Sequence, residues 1–259
     1  MDNRGLKFTT GIVGLMMLII AALAYPQEMT GRQIIDKVNG LMNPKTVHAK
    51  MKMTIITSSG KKRTFLYESF TKDKGEKNLI RYLEPKRLRG QAILMLNNAN
   101  DIWIYFPRTK RVRKLATHAK KRKMEGSDFS YEDMGSGEVF IKEYIPKRLK
   151  DERIKKHNCY KIELTRREGS DASYSRIIMW VDRKSFVPIV VDYYDEKNPD
   201  LRLKRLILSD IRIIDGIPTP MKMVMHNLLD NTQTTVEYIE VKYNVKLDDS
   251  LFTERGLRG

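Results

Sequence analysis

The sequence has little of the chemistry that enzymes use. Cys159 is the only cysteine, which excludes an intramolecular disulfide, a cysteine-based zinc site and a CxxC redox pair. The four histidines, at positions 48, 118, 157 and 226, are too dispersed for an HExxH zinc motif, and no GxSxG nucleophile motif is present. We therefore predict a protein that is not an enzyme, with no metal site and no cofactor; a hydrolase would need a site without a recognisable motif.

Long apolar runs are also lacking, apart from one near the start of the chain. Gly11 to Leu23 is shorter than the roughly 20 residues that a membrane span needs. Arg4 and Lys7 precede this run, and Ala22-Leu23-Ala24 has the small-x-small form of a signal peptidase site. The pattern predicts a secretory signal peptide over residues 1–24, cleaved after Ala24, with a retained membrane anchor as the alternative.

The remaining chain, residues 25–259, is predicted to act in the periplasm as a single domain. No cysteine follows the apolar run closely, so the protein is not predicted to be a lipoprotein. We find no linker and no internal repeat, and β barrels commonly reach about 200–250 residues as one unit.

Hydrophobic periodicity predicts one helix followed by many strands. Thr30 and Gln33 have capping-box spacing, and the helix that follows them ends at Asn43-Pro44. From Val47 to Ile55 the period changes to two, which is typical of a strand. Consecutive strands without helix-length connections indicate an antiparallel meander. The further strands are predicted near 63–71, 78–83, 92–97, 101–106, 160–165, 175–182, 187–195, 203–214, 221–227 and 234–243.

One long interruption, residues 107–145, breaks the strand pattern. It contains a basic stretch, the run Gly-Ser-Asp-Phe-Ser-Tyr-Glu-Asp at 126–133, and a Gly-Ser-Gly link at 135–137. Asp128 is predicted to cap a short helix. Asp128, Glu132 and Asp133 would also suit a hard cation, but a capped and solvated helical turn is the preferred interpretation.

Methionines and aromatic residues are abundant, with 14 Met and 12 Tyr. Such residues usually form ordinary core, yet flexible thioethers also suit cavities that adapt to variable apolar ligands. We predict a hydrophobic ligand cavity on the strand faces, lined by Met51, Met53, Ile55, Phe65, Tyr67, Trp103 and Tyr105.

The formal net charge is +17, and Arg108 to Lys123 holds nine Lys or Arg and no acid. Such a run is usually a solvated loop; the functional alternatives are docking to an anionic membrane surface and binding to nucleic acid. The export signal argues against nucleic acid. We therefore predict a mobile basic loop at the rim of the fold that docks a membrane or a partner, through Arg111, Arg113, Lys114, Lys120, Lys121, Arg122 and Lys123.

Several short motifs together resemble the outer-membrane lipoprotein-sorting proteins of the LolA-like superfamily. They are Leu-Glu-Pro-Lys-Arg-Leu-Arg-Gly at 83–90, Asp-Ile-Trp-Ile-Tyr-Phe-Pro at 101–107 with Arg-Val-Arg at 111–113, the run at 126–133, Val-Asp-Arg at 181–183 with Pro188, Gly-Ile-Pro-Thr-Pro at 216–220, and Leu-Phe-Thr at 251–253. The resemblance implies a mainly β (α+β) fold: a half-open antiparallel β barrel with a few helices covering the concave face, which receives acyl chains.

The resemblance also implies a function and a tether. The expected function is a periplasmic carrier or transporter-accessory protein for lipid or lipoprotein acyl chains, with a transporter of the resistance-nodulation-division type as a candidate partner. Arg81 is the nearest match to an arginine that ties the helical lid to the barrel in the lipoprotein carrier. The alternative is an exported envelope protein with a closed core, which docks a membrane partner through its basic loop and carries no cargo.

Overall fold

The computed structural model describes residues 28–135 and 138–259, which form one large antiparallel sheet with helices on one face. The predicted signal peptide, residues 1–24, lies outside the described residues. In the part of the chain that is described, no helix combines the length and the apolarity that a membrane span requires.

The first described element is α1, Gly31–Met42. The side chain of Thr30 accepts a hydrogen bond from the Gln33 amide at 3.2 Å, and the Gln33 side chain accepts from the Thr30 amide at 2.9 Å. This reciprocal pair satisfies two amides that have no partner within the helix. Ile35 and Val38 are buried beneath the helix. The predicted helix and its capping box are confirmed.

The first six strands run in sequence order from the middle of the sheet to one edge. The strands are β1 (Thr46–Ile56), β2 (Lys62–Lys72), β3 (Lys77–Glu84), β4 (Ala92–Leu96), β5 (Asp101–Phe106) and β6 (Arg111–Lys114). The sequence predicted the first five. It missed β6 because Arg-Val-Arg-Lys shows no apolar alternation, which is typical of an edge strand that charge protects from further pairing.

The chain then crosses from this edge to the opposite edge. We call residues 115–142 the crossing segment; it contains short 3₁₀ turns, α2 (Tyr131–Gly135) and α3 (Val139–Lys142). The Ser130 hydroxyl accepts from the Asp133 amide at 3.0 Å, and the Asp133 carboxylate accepts from the Ser130 amide at 2.8 Å. Ser130 therefore caps α2, and the prediction that Asp128 caps a helix is wrong.

The last eight strands lead from the far edge back to the middle of the sheet. They are β7 (Tyr144–Arg148), β8 (Glu152–Ile154), β9 (His157–Arg166), β10 (Arg176–Asp182), β11 (Pro188–Tyr194), β12 (Arg202–Ile214), β13 (Ile217–Asn227) and β14 (Thr232–Tyr243). The sequence missed only the short β7 and β8. The strand order is β6-β5-β4-β3-β2-β1-β14-β13-β12-β11-β10-β9-β7, with β8 paired to β9. The sheet does not close, so the predicted mainly β fold, a half-open barrel with a few helices, is confirmed.

The main core lies on the face of the sheet that the helices cover, which we call the inner face. Alternate residues of the strands point into this core and pack against Ile34, Tyr131 and Phe140 from the three helices. The opposite, outer face carries two smaller apolar clusters. One lies under the C-terminal segment and includes Leu79, and the other lies on β9 to β11 and includes Trp180.

The C-terminal segment packs tightly against the outer face through two 3₁₀ turns, Asp249–Phe252 and Gly256–Arg258. Phe252 and Leu257 are buried there. A Cβ atom at Gly256 would lie 2.5 Å from the carbonyl oxygen of Leu251, closer than any real contact allows. Only glycine therefore fits at this position.

Replacing Gly256 by alanine is expected to displace the C-terminal segment and to lower the free energy of unfolding by about 1–3 kcal/mol. Trp103 belongs to the same outer cluster, so its fluorescence should shift towards that of a solvated indole. Gly40→Ala is the matched control, because a Cβ there meets nothing within 4 Å. Equal urea midpoints for Gly256→Ala and the wild type would contradict this interpretation.

Candidate functional site

The inner face of β1 and β2 brings together five of the seven residues that the sequence placed in a cavity. Register pairs Met53 with Phe65 and Met51 with Tyr67, and Ile55 follows on the same face. All five side chains are at most 5% exposed. The structure therefore places them in one continuous apolar surface.

The other two residues, Trp103 and Tyr105, lie on the outer face and pack near the C-terminal segment. Their neighbours Ile102 and Ile104 point into the main core instead. A strand with large apolar residues on both faces does not reveal which face is inside, and an offset of one residue exchanges the two. The assignment of Trp103 and Tyr105 to the cavity is thus corrected.

Methionines are concentrated on the inner side of the sheet. From Met29 onward, every methionine except the exposed Met42 belongs to the main core or packs against it. Unbranched thioether side chains repack at low cost, which suits a surface that must accommodate flexible apolar chains. These methionines are Met29, Met51, Met53, Met95, Met124, Met134, Met179, Met221, Met223 and Met225.

Two tyrosine hydroxyls are buried in this apolar surface without a hydrogen-bond partner among the described residues: those of Tyr67 and Tyr82. The two residues are cross-strand neighbours, with ring centroids 5.8 Å apart. Burial raises the pKa of both phenols far above the ordinary value, so both stay neutral and able to donate. An unpaired buried hydroxyl is costly, and each one offers a donor to an incoming ligand.

The crossing segment covers this surface and is anchored on one side by Asp128. The carboxylate, 1% exposed, accepts hydrogen bonds from the hydroxyls of Thr232 at 2.5 Å and Thr234 at 2.7 Å. The Thr234 hydroxyl also accepts from the Asp128 amide at 2.9 Å. These contacts join the crossing segment to β14 near the middle of the sheet.

A second anchor joins α2 to the far half of the sheet. Asp133 accepts hydrogen bonds from the Tyr174 hydroxyl at 2.9 Å and from the Lys204 ammonium group at 3.2 Å. Glu132 accepts from the amide and the hydroxyl of Ser173, while burial raises the pKa of its carboxyl group. The three acids thus have protein donors as partners, and in the described residues no group of three His, Cys, Asp or Glu side chains is placed to hold a metal ion.

The third anchor comes from β3, although not from the predicted residue. Arg81 lies on the outer face and donates to the Gly256 carbonyl at 2.8 Å, so it holds the C-terminal segment and not the lid. Asn78, on the inner face of the same strand, donates to the Met134 carbonyl of α2 at 2.9 Å. Arg81 therefore points away from the crossing segment, and the contact from β3 to that segment comes from Asn78 on the opposite face.

With these anchors in place, apolar residues of the crossing segment pack into the interior. Met124, Phe129 and Tyr131 of the crossing segment are buried in the main core. A cavity of about 80 Å³ remains beside α2 and α3, lined in part by Tyr174 and Tyr193. This volume is far below the roughly 300 Å³ at which ligand pockets begin.

The predicted mobile basic loop is instead largely held in place. Lys120 is 5% exposed, and its ammonium group lies 2.9 Å from oxygens of both Asn100 and Asp171. Lys121 pairs with Glu196 at 3.0 Å. Lysine therefore has a structural role at both positions.

The remaining basic residues of the run divide into paired and exposed ones. Lys123 pairs with Asp230 at 2.5 Å, and Lys114 pairs with Asp101 at 2.8 Å. The side chains of Arg111, Arg113 and Arg122 are exposed. Asp101 lies on the neighbouring strand β5, whereas Asp171, Glu196 and Asp230 come from distant loops that the fold brings to the run, so the sequence could not show those three pairs.

These ion pairs predict a loss of anchoring in acid. Lys120, Lys121 and Lys123 hold the carboxyl pKa values of Asp171, Glu196 and Asp230, respectively, below their ordinary values. A lowered carboxyl pKa stabilises the folded state above the ordinary titration range, and this stabilisation is lost as the pH falls through the lowered value.

Hydrogen-exchange protection of residues 115–126, corrected for the intrinsic rates, should therefore be high at neutral pH and fall below about pH 4, before the sheet unfolds. The strands β1 and β14 serve as the internal reference. Protection that persists until global unfolding would show that the lysine pairs do not hold the segment.

A family model described as "Uncharacterized protein" matches residues 74–259 of this chain. No curated protein matches the sequence.

Several solved structures have the same fold. A DUF1329 family protein from Desulfovibrio piger is 26% identical, with 88% of this chain and 97% of that chain covered and a TM-score of 0.80. A putative outer membrane lipoprotein-sorting protein domain from Vibrio parahaemolyticus is 23% identical, with coverage of 88% and 98% and a TM-score of 0.79. A LolA superfamily protein from Nitrosomonas europaea is 23% identical, with coverage of 88% and 99% and a TM-score of 0.73.

Proposed function

We propose that this chain, which belongs to the family matched over residues 74–259 and has the fold of the LolA superfamily, is a periplasmic carrier for the acyl chains of a lipid or lipoprotein. The acyl chains would bind between the inner face and the crossing segment. The observation that carries the proposal is a methionine-rich apolar face covered by the crossing segment, which is joined to the sheet by separate, non-covalent polar contacts.

The energetics support reversible opening. A hydrogen bond to a charged group contributes about 1.5–3 kcal/mol, so the anchors at Asp128 and Asp133 together resist opening by several kcal/mol. Burying an acyl chain contributes about 0.8 kcal/mol per methylene. The burial of about ten methylenes, roughly 8 kcal/mol, is therefore similar in size to the four hydrogen bonds of these two anchors, so cargo offsets the cost of breaking them.

The anchors also fit a carrier that must release its cargo. Asp128 binds β14, Glu132 binds the loop between β9 and β10, and Asp133 binds the same loop and β12; none of these contacts is covalent. Closure is thus the resting state of the empty protein, and cargo shifts the equilibrium towards an open or partly open form.

Native mass spectrometry of the protein purified from its own cell envelope tests the proposal. We expect an adduct of lipid mass, which disappears after unfolding and refolding without lipid and returns when lipid is added. Adduct-free protein that also takes up no acyl probe would favour the closed-core alternative. Turnover of ester or phosphate substrates by the pure protein would indicate an enzyme.

Docking to an anionic membrane surface is the second part of the proposal, now limited to the exposed arginines of the basic run. Each charge near such a surface contributes about 1 kcal/mol, screened beyond about 8 Å at physiological salt. Leu228 and Leu229 are exposed on the turn that carries Asp230, the partner of Lys123. They add apolar contact close to the basic residues. A transporter of the resistance-nodulation-division type stays a prediction.

Replacing Arg111, Arg113 and Arg122 by glutamine should lower binding to vesicles that contain phosphatidylglycerol about tenfold or more at low salt. Acyl-probe affinity in solution should not change. The control with equal charge loss replaces the exposed Lys52, Lys242 and Lys246 by glutamine. The two variants are compared by vesicle sedimentation over a salt series, and equal losses would show that docking has no fixed surface.

A further inference from the structure

A large cavity lies outside the barrel, on the outer face of β10 to β12. It has a volume of about 770 Å³. Its floor and walls are mainly apolar and include Trp180, Ile189, Val190, Ile207 and Ile211. Because side chains alternate along each strand, this groove and the main core lie on opposite faces of the sheet.

Local irregularities of the sheet form the groove. The register between β10 and β11 shifts at Trp180, which brings both Ile189 and Val190 into the lining. The hairpin of β8 and β9 forms one wall and is held by a hydrogen bond of 2.8 Å from the Trp180 indole to Glu152. Trp180 is 8% exposed, so the floor of the groove is recessed.

A polar pocket of about 470 Å³ continues this groove and shares Lys156, His157 and Ile211 with it. Lys184 and Ser185 lie at its other side. Lys156 and Lys184 are exposed, and no carboxylate of the described residues is within ion-pairing distance of either. Their charges are therefore available to a ligand.

The one carboxylate that lines the polar pocket already has its donors. Asp182 lies 3.0 Å from a ring nitrogen of His157 and accepts from the amide of Ser185 at 2.9 Å and from its hydroxyl at 2.8 Å. Hydrogen bonds to these groups help to hold its pKa below the ordinary value although burial acts against them. The pocket thus keeps a positive balance, with Arg183 adding a charge that it shares with Asp151 at 3.4 Å.

We propose that the groove and the polar pocket together form a second ligand site, which binds one molecule of an anionic single-chain phospholipid. The acyl chain lies against Trp180, Val190 and Ile211, and the phosphate lies between Lys156 and Lys184. An apolar groove that opens into a cationic pocket matches the two ends of an amphiphile, and a volume of several hundred Å³ is typical of small-molecule sites. A flat bilayer would not reach the recessed indole, whereas a single chain does.

Fluorescence of Trp180 provides the test, since the sequence has only two tryptophans and Trp103→Phe leaves Trp180 as the sole reporter. The probe is a lysophosphatidylglycerol with a 14-carbon chain, kept below its critical micelle concentration. We expect a saturable shift of the Trp180 emission. Lysophosphatidylcholine of the same chain length should bind more weakly, and inorganic phosphate alone should cause no shift.

Two variants separate the head and the tail of the site. Lys156→Gln with Lys184→Gln should lower the affinity for the probe about tenfold. The matched pair Lys52→Gln with Lys242→Gln should leave this affinity unchanged. Ile211→Glu, at a partly exposed position, should abolish the shift without unfolding the protein. The proposal would be overturned if the two double lysine variants bound the probe with equal affinity. It would also be overturned if the probe bound without changing the Trp180 emission. The site is independent of the inner cavity, so either proposal can fail alone.

Discussion

Joining the crossing segment to β14 by a disulfide is expected to abolish acyl-probe uptake, and reduction is expected to restore it. Asp128→Cys with Thr234→Cys puts two thiols at contacting positions, because the carboxylate and the amide of Asp128 lie 2.7 and 2.9 Å from the Thr234 hydroxyl. Mass spectrometry of the oxidised protein verifies that the disulfide has formed before uptake is measured. The native Cys159 should not interfere. It is fully buried, and burial raises its thiol pKa to about 11, so almost no reactive thiolate is present near neutral pH.

The uptake of a fluorescent fatty acid, followed over time, measures this effect. The control proteins are the two single-cysteine variants, which weaken the anchor without forming a link: Asp128→Cys removes both carboxylate hydrogen bonds and Thr234→Cys removes one. They should take up the probe at least as fast as the wild type, because the anchor at Asp128 is lost or weakened. Rapid uptake by the oxidised double variant would show that acyl chains reach their site without movement of the crossing segment.

Removing the two unpaired tyrosine hydroxyls should stabilise the empty protein and lower its affinity for acyl ligands. Tyr67→Phe with Tyr82→Phe eliminates two buried donors that have no partner among the described residues, each of which costs about 1–3 kcal/mol. The urea midpoint should therefore rise. Affinity for an acyl ester should fall several-fold, because the hydroxyls are available to donate to its carbonyl group.

Tyr144→Phe is the matched control for this experiment. Tyr144 is 1% exposed like the other two, but its hydroxyl donates to the Tyr174 carbonyl at 3.1 Å. The same chemical change should lower stability there, since it leaves a buried carbonyl without a donor. A double variant at Tyr67 and Tyr82 that loses stability as Tyr144→Phe does would contradict the proposed role of the two hydroxyls.

The strands were predictable because each of them obeys a local rule. Alternation over Val47 to Ile55 marks β1, and turn residues such as Asp215-Gly216 separate the later strands. The capping box at Thr30 likewise depends on neighbours within one turn. β6 and β7 were not predicted, because edge strands are short and have no fully buried face. Their sequences therefore show no alternation of apolar and polar residues.

The site was only partly predictable, since its anchors depend on which residues meet across the sheet. Asp128 and Thr234 are far apart in the sequence, and nothing local distinguishes their side chains from solvated ones. The same limit explains Lys120, whose acid partner Asp171 comes from another loop. For Trp103 the limit was the choice of face, because both faces of β5 are apolar.

The strand order also has a consequence for how the chain folds. Strands β1 to β6 and β7 to β14 are two meanders in which most neighbours are adjacent in sequence, and each can form early at a low cost in chain entropy. The seam between them pairs Val47 with Tyr243, residues about 200 positions apart, so it closes late and limits the folding rate. Because that seam, and not the crossing segment, joins the two halves of the sheet, a protein cut within the crossing segment should remain assembled. Two separately produced halves should then associate through β1 and β14.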